Sequence, residues 1–297
     1  MAQSINNRLT VQPALDPGAH HPFSRTRLRQ ELKLKLAELQ RDYAELHTAI
    51  FEAAQVHRRL CAPRLMHFAD FEIASEIFAV RHLPGDFFTV EEKNGDAILA
   101  LGDICGKGLA AGMWTTHVAG LVRGHTTRSS VPEQILRGVN SDLCLMANLR
   151  PFASLFLAKL DPITGRFDYC SAGHPPALLL RANGEIQSLS EGGLLLGVLP
   201  DAGYECGSIQ LDHGDTLLVY SDGITESRNR TGEEFGCARL EKQLRQAPAD
   251  SADSVLFSLL GAVQDFAGTR PLVDDMTVAV IRRANAEAAT APLAQAA

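Results

Sequence analysis

Apolar residues near the start of the chain recur at alternating spacings of four and three. The positions are Leu32, Leu36, Leu39, Tyr43, Leu46, Ile50 and Ala53. This heptad pattern is typical of a coiled-coil seam and predicts a helix over residues 26–62. A seam of this kind needs a partner. The partner is either a second copy of the chain, which gives a homodimer through residues 32–60, or the chain's own globular domain.

Beyond Pro63 the pattern changes to the alternation of half-buried strands. The strands are predicted at 71–80, 86–91, 96–104, 153–160, 166–171, 177–181, 217–221 and 278–282, and the helices at 108–128, 132–149, 236–246 and 251–267. Strands and helices fall in separate blocks. This order indicates an α+β fold with antiparallel sheets and helices outside them.

Both ends of the chain lack such periodicity. Residues 1–25 are rich in Pro, Asn, Gln, Ser and His, and residues 284–297 are mostly Ala with Glu, Thr, Pro and Gln. Both segments are predicted to be flexible tails. The predicted organisation is therefore a tail, a helix at 26–62, a globular domain at 63–283 and a second tail.

Composition excludes several classes of protein. The net charge of −7 argues against a nucleic-acid partner, which normally requires a basic excess. The sequence contains no run of 18 apolar residues, so no membrane span is predicted. The start of the chain lacks the pattern of an export signal. Six scattered cysteines indicate reduced thiols, as in a cytoplasmic protein.

Four acidic spots share one setting, an aspartate at the edge of an apolar run beside glycine or a polar turn. They are PGDFF at 84–88, LGDICGKG at 101–108, YSDGITE at 220–226 and VDDMTV at 273–278. A partly buried carboxylate is costly unless a cation or hydrogen-bond donors compensate it. A shared Mg2+ or Mn2+ would remove the repulsion between converging carboxylates. Each motif alone could be a simple turn, because Asp and Gly are common turn residues.

Taken in order, the motifs resemble the metal-dependent PPM-type serine/threonine protein phosphatases, in their bacterial SpoIIE/RsbU branch. The resemblance covers residues from about 60 to 282, with DICGKGLAAGM at 103–113, SAGHPP at 171–176, GEEFG at 232–236 and DDMTV at 274–278 besides PGDFF and YSDGITE. It implies an α-β-β-α sandwich of two mainly antiparallel sheets, with two Mn2+ or Mg2+ ions at one edge.

The resemblance also implies a role for each matching position. Asp103 would bridge both cations, and Ile104 would offer its backbone carbonyl. Asp222 and Asp274 would complete the protein ligands of the first metal. Asp86 would serve the second metal, directly or through water. Two such cations lower the pKa of a bridging water and stabilise an in-line displacement at phosphorus, so no Ser, Cys or His nucleophile is required.

Three further residues have two possible roles each. His174 is either a general acid or part of a turn packed by its prolines. Glu226 is either an outer hydrogen-bond acceptor or a cap of a short helix, and Lys107 either attracts phosphate or is an exposed loop lysine. Asp275 is expected to support the metal ligands from behind.

The segment before Asp86 departs from the family pattern R-P-A-x-x-[VI]-G-G-D-[FY]-[FY]-D. Phe78 stands for the Arg, the pair at 79–80 for Pro-Ala, Pro84 for the first Gly and Thr89 for the last Asp. Proline fixes φ and removes a hydrogen-bond donor, so a weakened second metal site is predicted.

Three functions are compatible with these observations. The leading hypothesis is a phosphatase acting on phosphoserine or phosphothreonine of a small regulatory protein. The resemblance points to a STAS-type anti-sigma-factor antagonist of partner-switching signalling as its substrate. The second is a non-catalytic or conditionally active module of the same fold that binds a partner. The third is a phosphatase of small molecules.

Overall fold

The computed structural model describes residues 22–61, 63–146 and 152–284. Its first element is helix α1 (Pro22–Cys61), which begins before the predicted start at residue 26. Most of the first predicted tail and nearly all of the second lie outside the described residues. None of the described helices is long and apolar enough to cross a membrane.

Backbone contacts divide the described chain at residue 50, within α1. In the part up to Ile50, five seam positions are exposed by 55 to 68%: Leu32, Leu36, Leu39, Tyr43 and Leu46. The homodimer through residues 32–60 stays a prediction, because exposure alone does not identify a partner.

From Phe51 onward, the described strands form two sheets. The first sheet has the order β1 (Leu65–Phe68), β2 (Phe71–Phe78), β12 (Met276–Arg283), β11 (Thr216–Tyr220), β7 (Ala177–Leu180) and β8 (Ile186–Leu189). The second has the order β10 (Cys206–Gln210), β6 (Arg166–Ala172), β5 (Ala153–Leu160), β4 (Asp96–Ile104) and β3 (Asp86–Lys93), with β9 (Gly192–Gly193) beside β6. All pairs are antiparallel except β6 with β9.

Helices cover the outer face of each sheet. Helices α2 (Leu109–Thr126) and α3 (Pro132–Leu145) share a buried cluster with the second sheet. The short helix α4 (Asp222–Thr225) follows β11. Helices α5 (Gly236–Gln246) and α6 (Ala252–Ala267) share a buried cluster with the first sheet. A third cluster fills the space between the sheets. The predicted α-β-β-α sandwich is thereby confirmed.

Successive side chains of strand β4 point to opposite faces of the sheet, and this alternation shows how the sequence produces these layers. Ile98 and Ala100 point to the cluster under α2 and α3, whereas Leu99 and Leu101 point to the cluster between the sheets. Both faces of the strand are buried, so its sequence is a nearly continuous apolar run. The aspartate that interrupts this run, Asp103, lies at the end of the strand.

Candidate active site

The four aspartate motifs meet at one edge of the sandwich. Strand β3 begins at Asp86, which is the register partner of Asp103 at the end of β4. In the other sheet β11 ends just before Ser221, and β12 begins just after Asp275. Antiparallel neighbours place the end of one strand beside the start of the next, so each sheet contributes two motifs to this edge.

Hydrogen bonds between the sheets fix Asp86. Its Oδ2 accepts from Ser221 Oγ at 2.7 Å and from Thr277 Oγ1 at 2.6 Å. Ser221 Oγ in turn accepts from the backbone N–H of Thr277 at 2.9 Å. The Asp86 side chain is buried, with 1% of the residue exposed. This carboxylate is therefore held in place by hydroxyls from the opposite sheet.

Asp275 supports the loop that leads to Asp86. Its two carboxylate oxygens accept from the backbone N–H groups of Val80, at 2.7 Å, and Gly85, at 2.6 Å. Thr115 Oγ1 on α2 donates to the carbonyl of Gly85 at 2.6 Å. The altered loop is thus anchored at both ends, although Pro84 supplies no donor.

Two glycines permit close approach of the backbone at this edge. A Cβ on Gly85 would lie 3.2 Å from the carbonyl oxygen of Ile104 and 3.4 Å from Asp103 Oδ1. A Cβ on Gly223 would lie 1.9 Å from the carbonyl oxygen of Asp275. The glycine in the YSDGITE motif is therefore required by packing against the DDMTV motif.

The carboxylates raise one another's pKa values. Burial, followed by the charges of Asp86 and Asp222, raises the pKa of Asp103 to about 9. Burial raises the pKa of Asp86 to about 7, although the hydroxyls of Thr277 and Ser221 oppose the shift. Partial burial, then the charge of Asp274, raises the pKa of Asp222. This part of the molecule holds more negative charge than its donors neutralise, and a cation would relieve it.

Lys107 supplies one such positive charge. Its ammonium group lies 2.6 Å from Asp274 Oδ2 and donates to the carbonyl oxygen of Val273 at 2.7 Å. The residue is therefore not simply an exposed loop lysine, because it pairs with a carboxylate that the resemblance assigns to the first metal.

A cavity of about 400 Å3 opens beside these carboxylates, lined by Asp103, Asp222, Ser154, His174 and Leu195 among others. Nδ1 of His174 lies 2.7 Å from Ser154 Oγ. Burial lowers the pKa of His174 to about 3, so the ring is neutral near pH 7. A neutral, buried ring suits the packing role better than that of a general acid.

Ser154, Ser221 and Thr277 were not predicted from the sequence as residues of this site. Ser221 and Thr277 are polar residues within the YSDGITE and DDMTV motifs, and their place in these motifs was the only indication in the sequence that they belong to the site. Their common partner could not be read from the sequence, because Asp86 lies 135 residues from one and 191 from the other.

The donor set fits a hydrated divalent cation. Among the described residues, no three Asp, Glu, His or Cys side chains are grouped so as to hold a metal ion on their own. Mg2+, however, usually keeps several waters and takes only one or two carboxylates from the protein. The carboxylates of Asp103 and Asp222 face the open cavity, where water and a phosphate could complete such a shell.

Several curated proteins are similar in sequence to this chain. Phosphoserine phosphatase RsbU of Bacillus subtilis (strain 168) is 25% identical over 243 residues, covering 80% of this chain and 71% of RsbU. The chain spans only 44% and 40% of two further curated relatives.

Two solved structures share the fold. The SiaA-PP2C domain of Pseudomonas aeruginosa has a TM-score of 0.71 at 18% identity, covering 81% of this chain and 98% of that domain. The catalytic domain of the serine threonine protein phosphatase PstP, in complex with 2 manganese ions, has a TM-score of 0.52 at 18% identity, covering 72% of this chain and 99% of that one.

The family described as Stage II sporulation protein E (SpoIIE) matches residues 93–284, more than half of the chain. That stretch contains five of the six ordered motifs and nine of the twelve described strands, including β4, which carries Asp103. Together with the PP2C-like sandwich, this match shows that the chain belongs to the SpoIIE family.

Proposed function

We propose that this chain is a metal-dependent serine/threonine phosphoprotein phosphatase. The observation that carries the proposal is the convergence of Asp103, Asp222 and Asp274 at one edge of the sandwich, where burial and the charges of Asp222 and Asp274 raise the pKa of Asp103. Membership of the SpoIIE family and similarity to RsbU, which is named a phosphoserine phosphatase, support it.

Mn2+ or Mg2+ would be held by the carboxylates of Asp103, Asp222 and Asp274 and the carbonyl of Ile104, with Asp86 serving a second ion. Manganese in PstP supports this assignment. When bound, the ions would supply a nucleophilic water and stabilise charge on the phosphoryl group.

The chain's own side chains position the reacting groups. Ser221 and Thr277 hold Asp86 in a single orientation, and Asp275 fixes the loop that carries it. Orienting a substrate and its ligands in this way lowers the entropic part of the barrier. Because His174 is buried and neutral, the proton for the leaving serine oxygen would come from water rather than from this ring.

The proposed substrate is the phosphoserine or phosphothreonine of a STAS-type anti-sigma-factor antagonist in partner-switching signalling. The open cavity beside Asp103 and Asp222, bordered by Leu195, suits a phosphorylated side chain presented on a protein. A homodimer through residues 32–60 would bury the exposed heptad seam. All six cysteines are free thiols, which supports a cytoplasmic location.

Phosphate release from a phosphorylated antagonist tests the proposal, with saturating Mn2+ and the full chain. Asp103→Asn should lose at least about a hundredfold in kcat, because an interaction with the reacting centre is removed. His174→Ala should cost much less. Asp96→Asn is the matched control, since Asp96 begins the same strand and pairs with Lys159 at 3.1 Å. Full activity of the Asp103→Asn variant would refute the metal-bridging role.

A partner-binding module without catalysis is the second candidate. Two observations favour it: Asp86 already accepts two hydroxyl hydrogen bonds, and Lys107 already neutralises Asp274. Calorimetry with Mn2+ separates the two functions. Fewer than two bound ions and no turnover of any phosphoprotein would favour the module, whereas turnover of free phosphoserine as fast as of a phosphoprotein would indicate a small-molecule phosphatase.

A further inference from the structure

A second cavity, of about 190 Å3, lies away from the carboxylates. The last turns of α1, strand β2 and the loop at 79–84 enclose it, all within the part of the chain from Phe51 onward. An apolar cavity of about 150 Å3 is large enough to bind benzene. This cavity therefore has room for a ligand with one aromatic ring or a branched aliphatic body.

One of the residues that line this cavity, His57, has a buried ring nitrogen without a partner among the described residues. Only 4% of His57 is exposed, and its Nε2 has no hydrogen-bond partner among the described residues. Leaving such an atom unsatisfied costs about 1–3 kcal/mol. Burial lowers the pKa of His57, so its ring is neutral and Nε2 can carry the proton that an acceptor needs.

The charged groups of the wall leave a positive surplus. Glu76 forms ion pairs with two guanidinium groups, with Arg58 Nη2 at 3.1 Å and Arg64 Nε at 3.8 Å. One carboxylate cannot neutralise two arginines, so one positive charge remains at this cavity. The other wall residues include Ala54, Ile77 and Ala79. The combination favours a ligand with an apolar body and one negative charge.

The cavity coincides with the part of the sequence that departs from the family pattern. Ala79 and Pro84 both line it. The family pattern has proline where this chain has Ala79, and a proline ring there would occupy part of the space. The departure from the pattern therefore changes two of the residues that shape this cavity.

The same loop connects the cavity to the carboxylate edge. Ala79 precedes Val80, and Pro84 precedes Gly85, and the N–H groups of Val80 and Gly85 are the two that hold the Asp275 carboxylate. Asp275 is the chain neighbour of Asp274. A ligand that shifts this wall of the cavity must therefore shift the donors of Asp275 as well.

We propose that this cavity binds a small organic carboxylate, with its apolar body against Ile77 and Ala79 and its charge toward His57 and Arg64, and that its occupancy changes the affinity of the carboxylate edge for Mn2+. The metal-affinity part rests on the proposed function, whereas the binding part does not.

Benzoate is the probe, titrated into the metal-free full chain in the presence of EDTA and followed by ligand-observed NMR. EDTA excludes binding through a metal at the carboxylate edge. Ala79→Leu, which fills the cavity, should abolish binding. Arg64→Gln should weaken it about fivefold, because a partly exposed charged contact is lost. Arg59→Gln, at an exposed arginine of α1 that does not line the cavity, should leave it unchanged.

Three results would overturn the assignment of the ligand site: no benzoate binding, equal binding by wild type and Arg64→Gln, or benzyl alcohol bound as tightly as benzoate. The Arg64→Gln comparison holds even if Ala79→Leu fails to fold. Coupling is tested by titrating Mn2+ with and without saturating benzoate, where a shift of at least about fivefold is expected. Benzoate binding without a shift refutes the coupling. Absence of Mn2+ binding in both titrations refutes the proposed metal site but leaves the ligand site standing.

Discussion

Replacing Lys107 with methionine should tighten Mn2+ binding, because Lys107 pairs with Asp274, which is proposed to hold the metal. The ammonium group lies 2.6 Å from Asp274 Oδ2, and the two side chains are 39% and 38% exposed. A buried charge-assisted hydrogen bond contributes about 1.5–3 kcal/mol and an exposed ion pair about 0.2–1 kcal/mol. At this exposure about 1 kcal/mol is reasonable, which corresponds to a roughly fivefold lower Kd for Mn2+.

Calorimetry against a competing chelator measures this change on the full chain. The metal-free variant should also unfold at a lower urea concentration, since Asp274 loses its partner beside Asp222, and saturating Mn2+ should remove most of that difference. Lys159→Met is the matched control, because Lys159 pairs with Asp96 at 3.1 Å at the far end of β4. Equal or weaker Mn2+ binding by the Lys107→Met variant, with the control unchanged, would show that Lys107 does not compete with the metal.

Three further changes test the electrostatics and packing of the same edge. Because the pKa of Asp103 is raised from 3.8 to about 9, the folded metal-free chain holds a proton between these pH values that the unfolded chain has released. The free energy of unfolding in EDTA should therefore fall from about pH 5.5 to about pH 8, and a urea titration of the Asp103→Asn variant should show a smaller fall. Gly223→Ala should destabilise the chain by about 2 kcal/mol or more, because the new Cβ would lie 1.9 Å from the carbonyl oxygen of Asp275. Gly120→Ala, in open space on α2, is the control and should be neutral or stabilising in the same denaturation assay. Thr89→Val should stabilise the chain by up to about 1 kcal/mol in thermal or urea unfolding, since the buried hydroxyl of Thr89 has no hydrogen-bond partner among the described residues; a loss of stability would mean that this hydroxyl is satisfied.

The order of the main elements was predictable because their apolar runs are long or strictly periodic. Strand β5 coincides with its prediction at 153–160, and helix α5 with its prediction at 236–246. Strands β1, β8, β9 and β10 were not predicted. They are short, and their side chains are largely exposed, so burial leaves little pattern in their sequences. Their conformation follows from pairing with a neighbouring strand.

The acidic members of the site were predictable, but the groups that orient them were not. An aspartate in an apolar run is conspicuous in a sequence because its burial is unfavourable. A serine or threonine at a strand end is not, since hydroxyls are common in turns. Ser221 and Thr277 become meaningful only when the two sheets are stacked, which brings both hydroxyls to Oδ2 of Asp86.

The prediction of a weak second metal site rested on Pro84 and the missing donor, and it stays a prediction, but the structure gives a different physical basis for it. The backbone of the loop is secured, because Asp275 holds the N–H of Gly85 and Thr115 holds its carbonyl. The constraint lies in the carboxylate of Asp86, where one oxygen already accepts two hydroxyls and burial raises the pKa to about 7. A cation at Asp86 must therefore displace a proton near neutral pH. Its affinity at this position should rise with pH, whereas a distorted loop would weaken binding equally at every pH.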